Sequence, residues 1–124
     1  MFDPIRIHSL LERIDEAITL IDENTSYIKS ADDFLKSSDG MFALSGVCMQ
    51  LVFIGESVKV IDARTGVDYL SRYKNIPWIS IMGLRDIIAH EYHHIDAEEI
   101  FKVIKKDLPI LHATIKQMKK DLQI

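Results

Sequence analysis

Only one cysteine, one tryptophan, three prolines and five glycines occur in 124 residues. With Cys48 alone, no internal disulfide can form. Its neighbours Val47, Met49 and Leu51 predict a buried, inert thiol. There is no low-complexity tract, repeat or linker, and a single domain over residues 1–124 is expected. The start, Met1-Phe2-Asp3-Pro4, lacks the basic and apolar regions of a signal peptide. The longest uninterrupted apolar runs are too short to span a bilayer. A cytoplasmic protein without a membrane partner is the expectation. Positive charge is also scarce. The net charge is −4, which argues against indiscriminate coating of nucleic acid. Residues 1–61 carry 5 Lys/Arg against 10 Asp/Glu, whereas residues 62–124 carry 10 against 9.

What is abundant is apolar sequence, at 48%, and its period is helical. Asp3 can cap a helix with Pro4 at its first position. Ile7, Leu10, Leu11, Ile14, Ala17, Ile18 and Ile21 follow at three- and four-residue steps, predicting a helix to about Tyr27 or Ile28. Ser30 to Lys36 reads as a helical turn and Ser38-Asp39-Gly40 as a break. The apolar stretch from Met41 to about Ala63 is too long for a strand and predicts a buried helix ending at Thr65-Gly66. Gly46 and Gly55 could admit a neighbouring helix. A turn is expected near Tyr69 to Tyr73. Ile76-Pro77 opens a helix carrying Trp78, Ile81, Met82, Leu84, Arg85 and Ile88. Asp96 with Glu99 forms an acidic capping box for another. Pro109 either kinks that helix or starts a last one, with Asp107 as a cap. The pattern predicts an all-α bundle of four to five helices.

Arg85-Asp86-Ile87-Ile88-Ala89-His90-Glu91-Tyr92 holds the densest chemistry. Arginine is always charged and can hold a phosphate; histidine moves protons near neutral pH. Asp86 and His90 are four apart, so the carboxylate could orient the imidazole. Arg85 and His90 sit roughly 140° apart around a straight helix. Either the helix frays near its end, or two copies bring the groups together across a two-fold axis. Such a pair suits RNA cleavage without a metal, His90 as base or acid and Arg85 stabilising the five-coordinate phosphate. The spacing alone is unspecific.

Several separated segments add specificity: Gln50 with Ile54-Gly55-Glu56, Ile76-Pro77-Trp78, Gly83-Leu84-Arg85-Asp86, His90-Glu91-Tyr92, Ile95-Asp96 and Asp107-Leu108-Pro109. In order and separation the chain resembles the HepT-like proteins of the HEPN superfamily, the toxin half of HEPN/MNT toxin–antitoxin pairs. The R-x4-H-x-Y pattern is complete at Arg85, His90 and Tyr92. The family often has Asn where this chain has Asp86. The resemblance implies a HEPN-type antiparallel helical bundle, a homodimer, and metal-independent endoribonuclease activity in the shared cleft on tRNA or mRNA. Its partner would be an MNT-type nucleotidyltransferase antitoxin that transfers AMP to Tyr92. By this reading Arg85 and His90 are catalytic, Asp86 supports His90, and His93 and His94 contact RNA.

Other readings compete. His90-Glu91-Tyr92-His93-His94 spells the zincin H-E-x-x-H motif, but Asp96 caps a new helix where a zincin helix must continue. No metal or cofactor is assigned. A non-catalytic helical dimer that binds a nucleotidyltransferase or other protein is the alternative function. Glu56, an acid in an apolar helix, needs a partner, and an arginine across the bundle, Arg85 among them, would serve. Trp78 reads as core or dimer interface. His8 and His112 have no visible partner, and Lys116, Lys119 and Lys120 read as a solvated face.

Overall fold

The computed structural model describes residues 2–66, 68–90 and 95–123; of Ile87, Ala89 and His90 it describes the backbone only. The described residues form an all-α bundle. Helix α1 spans Pro4–Asn24. Asp3 Oδ1 accepts from Ile5 N at 3.0 Å and starts it. Its inward face is Ile7, Leu11, Ile14, Ala17, Ile18 and Ile21, as the period requires, with Leu10 half-buried. The helix stops before the expected Tyr27. The Asn24 side chain donates to Leu20 O, and Thr25 Oγ1 donates to Ile21 O at 2.7 Å. Those side chains take carbonyls that the helix would otherwise use. Ile28 stays fully buried through a turn, Ile28 N donating to Thr25 O. Its apolar spacing outlasts the helix that produced it.

A short helix α2, Asp32–Leu35, buries Phe34. The central helix α3, Ser38–Thr65, begins where a break was expected. Ser37 Oγ accepts from Gly40 N at 2.9 Å, so Ser37 is the cap and Ser38-Asp39-Gly40 the first turn. A Cβ at position 40 would sit 2.3 Å from Asp33 O. The glycine is there because α2 presses against α3. Helix α3 ends at Gly66, as expected. It is long and apolar enough, by length and composition, to cross a bilayer. This corrects the estimate from uninterrupted runs, because the polar residues interrupting them are few. Here α1, α2 and the three helices that follow it pack on it.

After a 3-10 turn at Leu70–Arg72, the chain forms α4, Trp78–Met82, and α5, Leu84–His90. One continuous helix was expected. It is divided at Gly83, a poor helix former, whose N–H is bonded to Ile79 O. The last carbonyls of α4 lie on α3: a Cβ at Gly55 would meet Ile81 O at 2.7 Å. Close approach at Gly55 was anticipated; around Gly46 the space is open. Trp78 is a core residue, with Nε1 donating to Tyr73 O at 3.0 Å.

Helix α6, Ala97–Lys102, is capped by Asp96 Oδ1, which accepts from Glu98 N and Glu99 N. A π-helical turn, Val103–Asp107, leads into α7, Leu108–Asp121. Leu108 N donates to Val103 O, five residues back. The widened turn carries the chain past Pro109, which has no N–H to give. Asp107 makes no side-chain cap, contrary to expectation, because its backbone is already helical.

Helix α7 is tied to α1 by a polar cluster. His112 Nε2 donates to Asp15 Oδ1 at 2.5 Å, Lys119 Nζ to Asp15 Oδ2 at 2.7 Å, and Lys119 to Glu12 at 3.3 Å. Both His112 and Lys119 were read otherwise; Lys119 is only 18% exposed and not part of a solvated face. Burial pushes the Asp15 carboxyl up, but the bonds from Lys119 and His112 outweigh it and hold it below the ordinary carboxylate range. Burial pushes the Cys48 thiol up to about 11, the inert state expected of it.

Candidate active site

The site is built on the short helix α5. Ile88 is buried and Leu84, one turn earlier, is half-buried, so this edge of α5 faces the core. Arg85 and Asp86 in the first turn are exposed. Asp86 N donates to Gly83 O at 3.1 Å, which closes the turn between α4 and α5. The backbone is helical from position 85 to position 90. The two positions are therefore separated by roughly 140° around the axis, and one straight helix does not aim both at one point. The His90 side chain, and with it the expected Asp86–His90 pair, lies outside the described residues, as do Tyr92, His93 and His94 entirely. Among the described residues, no cluster of three or more His, Cys, Asp or Glu side chains is placed to hold a metal.

Glu56 is brought to Arg85 by the packing of α3. The bare Gly55 lets α4 settle against α3, and the next residue then faces the first turn of α5. Arg85 Nη1 lies 3.3 Å from Glu56 Oε1, the partnership that an acid in an apolar helix required. The contact is ionic without hydrogen-bond alignment, since Oε1 is buried and has no aligned donor among the described residues. The Arg85 side chain remains 57% exposed. A planar guanidinium has five donors in a fixed fork, so one nitrogen against Glu56 leaves the rest of the fork able to meet an anion. Such a group can stabilise the charge of a phosphate under attack.

Other matched segments hold the site in place. Ile54 is fully buried, and Trp78 anchors the start of α4. Asp96 caps α6 just beyond the motif. The Asp15–His112–Lys119 cluster was not legible, because its members are 97 and 104 residues apart and no local pattern joins them. Also unanticipated was an open groove of about 790 Å³ between α1 and the first half of α3, with Leu20, Tyr27, Phe42, Gly46 and Gln50 on its walls.

The sequence profile of the family described as ribonuclease HepT-like matches residues 14–118. The chain belongs to the HepT-like ribonuclease family. That match includes Glu56, Arg85, Asp86, His90 and Tyr92. A candidate RNase of Methanocaldococcus jannaschii is 32% identical over 78 residues, covering 63% of this chain and 62% of that protein. A candidate ribonuclease HepT of Thermococcus cleftensis is 34% identical over 74 residues, 60% of this chain and 64% of that one. A third relative, from Methanocaldococcus jannaschii, joins gamma-glutamylcyclotransferase to a candidate RNase; the match is 32% over 81 residues and covers 65% of this chain but 35% of that protein. The aligned HepT-like segment thus spans less than two thirds of each of these relatives. No solved structure matches the chain significantly.

Proposed function

We propose that this HepT-like chain is a metal-independent endoribonuclease, the toxin of a HEPN/MNT toxin–antitoxin pair, acting in the cytoplasm as a homodimer. The observation that carries the reading is the family match over residues 14–118, with Arg85 exposed at the head of α5. His90 takes the proton of a ribose 2′-hydroxyl as its oxygen attacks the adjacent phosphorus. The bond to the 5′ oxygen breaks, and that oxygen receives a proton from a histidine acting as acid. Arg85 holds the extra negative charge of the five-coordinate phosphate. The products are a 2′,3′-cyclic phosphate and a 5′-hydroxyl. Asp86 orients His90, and His93 and His94 contact the RNA, a tRNA or an mRNA.

Two observations support a dimer. Positions 85 and 90 diverge on one helix, so a second copy is the simplest way to complete the site. In addition, α3 carries an outward apolar stripe, Phe42, Met49, Phe53 and Val60, with Phe42 82% exposed. These positions stand seven, four and seven residues apart, on one face of the helix as in a helix-pairing seam, and Glu56 beside Arg85 falls between Phe53 and Val60 on that same face. The partner is an MNT-type nucleotidyltransferase. Transfer of AMP to the Tyr92 hydroxyl, with release of pyrophosphate from ATP, would add bulk and negative charge to the motif.

The test is cleavage of tRNA and mRNA by purified protein in EDTA, with product ends mapped and His90→Ala as control. Chelator-resistant cleavage leaving cyclic phosphate ends, and lost by about 10²-fold or more in the variant, is the expected result. Failure of dimeric, unmodified protein to cut either RNA class would leave the alternative, a non-catalytic dimer that binds a nucleotidyltransferase or other protein through the motif surface.

A further inference from the structure

We propose that Glu56 is a positioning residue of the ribonuclease site: its carboxylate, built on the central helix, anchors one nitrogen of Arg85 and so aims the free edge of the guanidinium at the scissile phosphate. This role rests on the ribonuclease reading given above.

An exposed arginine samples many rotamers, and a phosphate would have to select one of them. The ionic contact from α3 biases that choice beforehand. Glu56 is suited to the task for three reasons. It stands on the helix against which α1, α2, α4 and α5 pack, so its backbone is among the best fixed in the molecule. Gly55 sets the distance, because a Cβ there would collide with Ile81 O and push α4 and α5 away. Finally, the two side chains are unequally exposed. The Arg85 side chain is 57% exposed and that of Glu56 39%, with the facing oxygen Glu56 Oε1 itself buried.

The same pair could instead act as a brake, with Glu56 neutralising Arg85 and repelling RNA. The geometry favours positioning. A brake must cover the fork, but the Arg85 side chain stays 57% exposed with Nη1 at 3.3 Å from Glu56 Oε1. The contact also lacks hydrogen-bond alignment, so a small rotation of the guanidinium toward an incoming phosphate breaks no aligned bond.

The experiment is steady-state and single-turnover RNA cleavage by the full chain, comparing the wild type with E56A, E56Q, R85A and the double variant E56A/R85A. Misplacement of an electrostatic group by about 1 Å costs on the order of 10²-fold. E56A should therefore lower kcat by about 10- to 100-fold with little change in KM. E56Q, whose amide oxygen can still accept from Nη1, should recover a substantial part of the loss. In the R85A background E56A should have no further effect. A merely structural role would not produce that non-additivity. Independent losses in the double variant, or cleavage by E56A at or above the wild-type rate, would overturn the positioning role. Should E56A fold poorly, as judged by its melting temperature, the cycle is run with E56Q and R85A and read the same way. A wild-type protein that cuts no RNA overturns the ribonuclease reading itself and this role with it. A wild type that cuts and is indifferent to Glu56 overturns the role alone.

Discussion

Two acid–base contacts in this molecule use similar residues to opposite ends. Between α1 and α7, Asp15 receives both His112 and Lys119 at 2.5 and 2.7 Å, with all three side chains under one fifth exposed. Between α3 and α5, Glu56 meets Arg85 at 3.3 Å without alignment, and Arg85 stands more than half exposed. In the first cluster both carboxylate oxygens have short, aligned bonds, so a ligand could enter only by breaking them. In the second, Nη1 has an unaligned ionic contact and most of the Arg85 side chain is accessible. Charge saturation thus separates a structural clamp from a group still able to bind something. Residue type does not make that distinction.

The comparison can be broken most forcefully at Arg85. Arg85→Ala should reduce RNA cleavage by about 10²- to 10³-fold while leaving the melting temperature unchanged within about 2 °C, because an exposed side chain contributes little to stability. A large fall in melting temperature would move Arg85 to the clamp side of the contrast.

Asp15→Ala should do the reverse. It leaves Lys119 and His112 without their shared acceptor, at a cost of about 1–3 kcal/mol, or about 4 °C of melting temperature per kcal/mol. The rate of cleavage by the protein that remains folded should not change. Acid sharpens the same test. The folded-state pKa of Asp15 is held below its unfolded value by Lys119 and His112. Its contribution is therefore fully present above the unfolded pKa of about 4 and lost as pH falls through the lower folded value. Denaturant titrations between pH 7 and pH 2 should show Asp15→Asn less stable at neutral pH. Its deficit should narrow below about pH 4.

Smaller effects are expected at the helix caps. Asp96→Ala removes the acceptor for Glu98 N and Glu99 N and should cost about 1 kcal/mol. Asp107→Ala, at a position with no side-chain cap, should change stability by less than about 0.5 kcal/mol. Equal values for the two in a denaturant series would contradict the distinction between a capped start and a π-helical passage.

Local signals were read well where the physics is local. Asp3, Asp96 and Gly66 mark helix ends through bonds spanning no more than four residues, and each stands where the sequence put it. The inward face of α1 followed from spacing alone. Boundaries failed where a side chain or a neighbouring helix intervened. Thr25 and Asn24 stopped α1 early, and Ser37 moved the start of α3 back past the supposed break at Gly40. Gly83 divided a helix that apolar spacing had joined. At the site, the sequence pointed to Arg85, His90 and Tyr92 through the resemblance and to Glu56 through its isolation in an apolar helix. The distance between Glu56 and Arg85 could not be read, since it depends on how closely α4 lies on Gly55.

By itself the sequence determined the helical class, the apolar face of α1, the principal caps and the residues of the motif, because each follows from spacing within a few turns of one chain segment. Only the tertiary structure decided which charges face each other. It gave His112 a partner the sequence did not show, turned Lys119 from a solvated residue into part of the same clamp on Asp15, and set Glu56 beside an Arg85 that remains open. Those outcomes depend on contacts between residues 29 to 104 positions apart, and the register of one helix against another is written in no single stretch of chain.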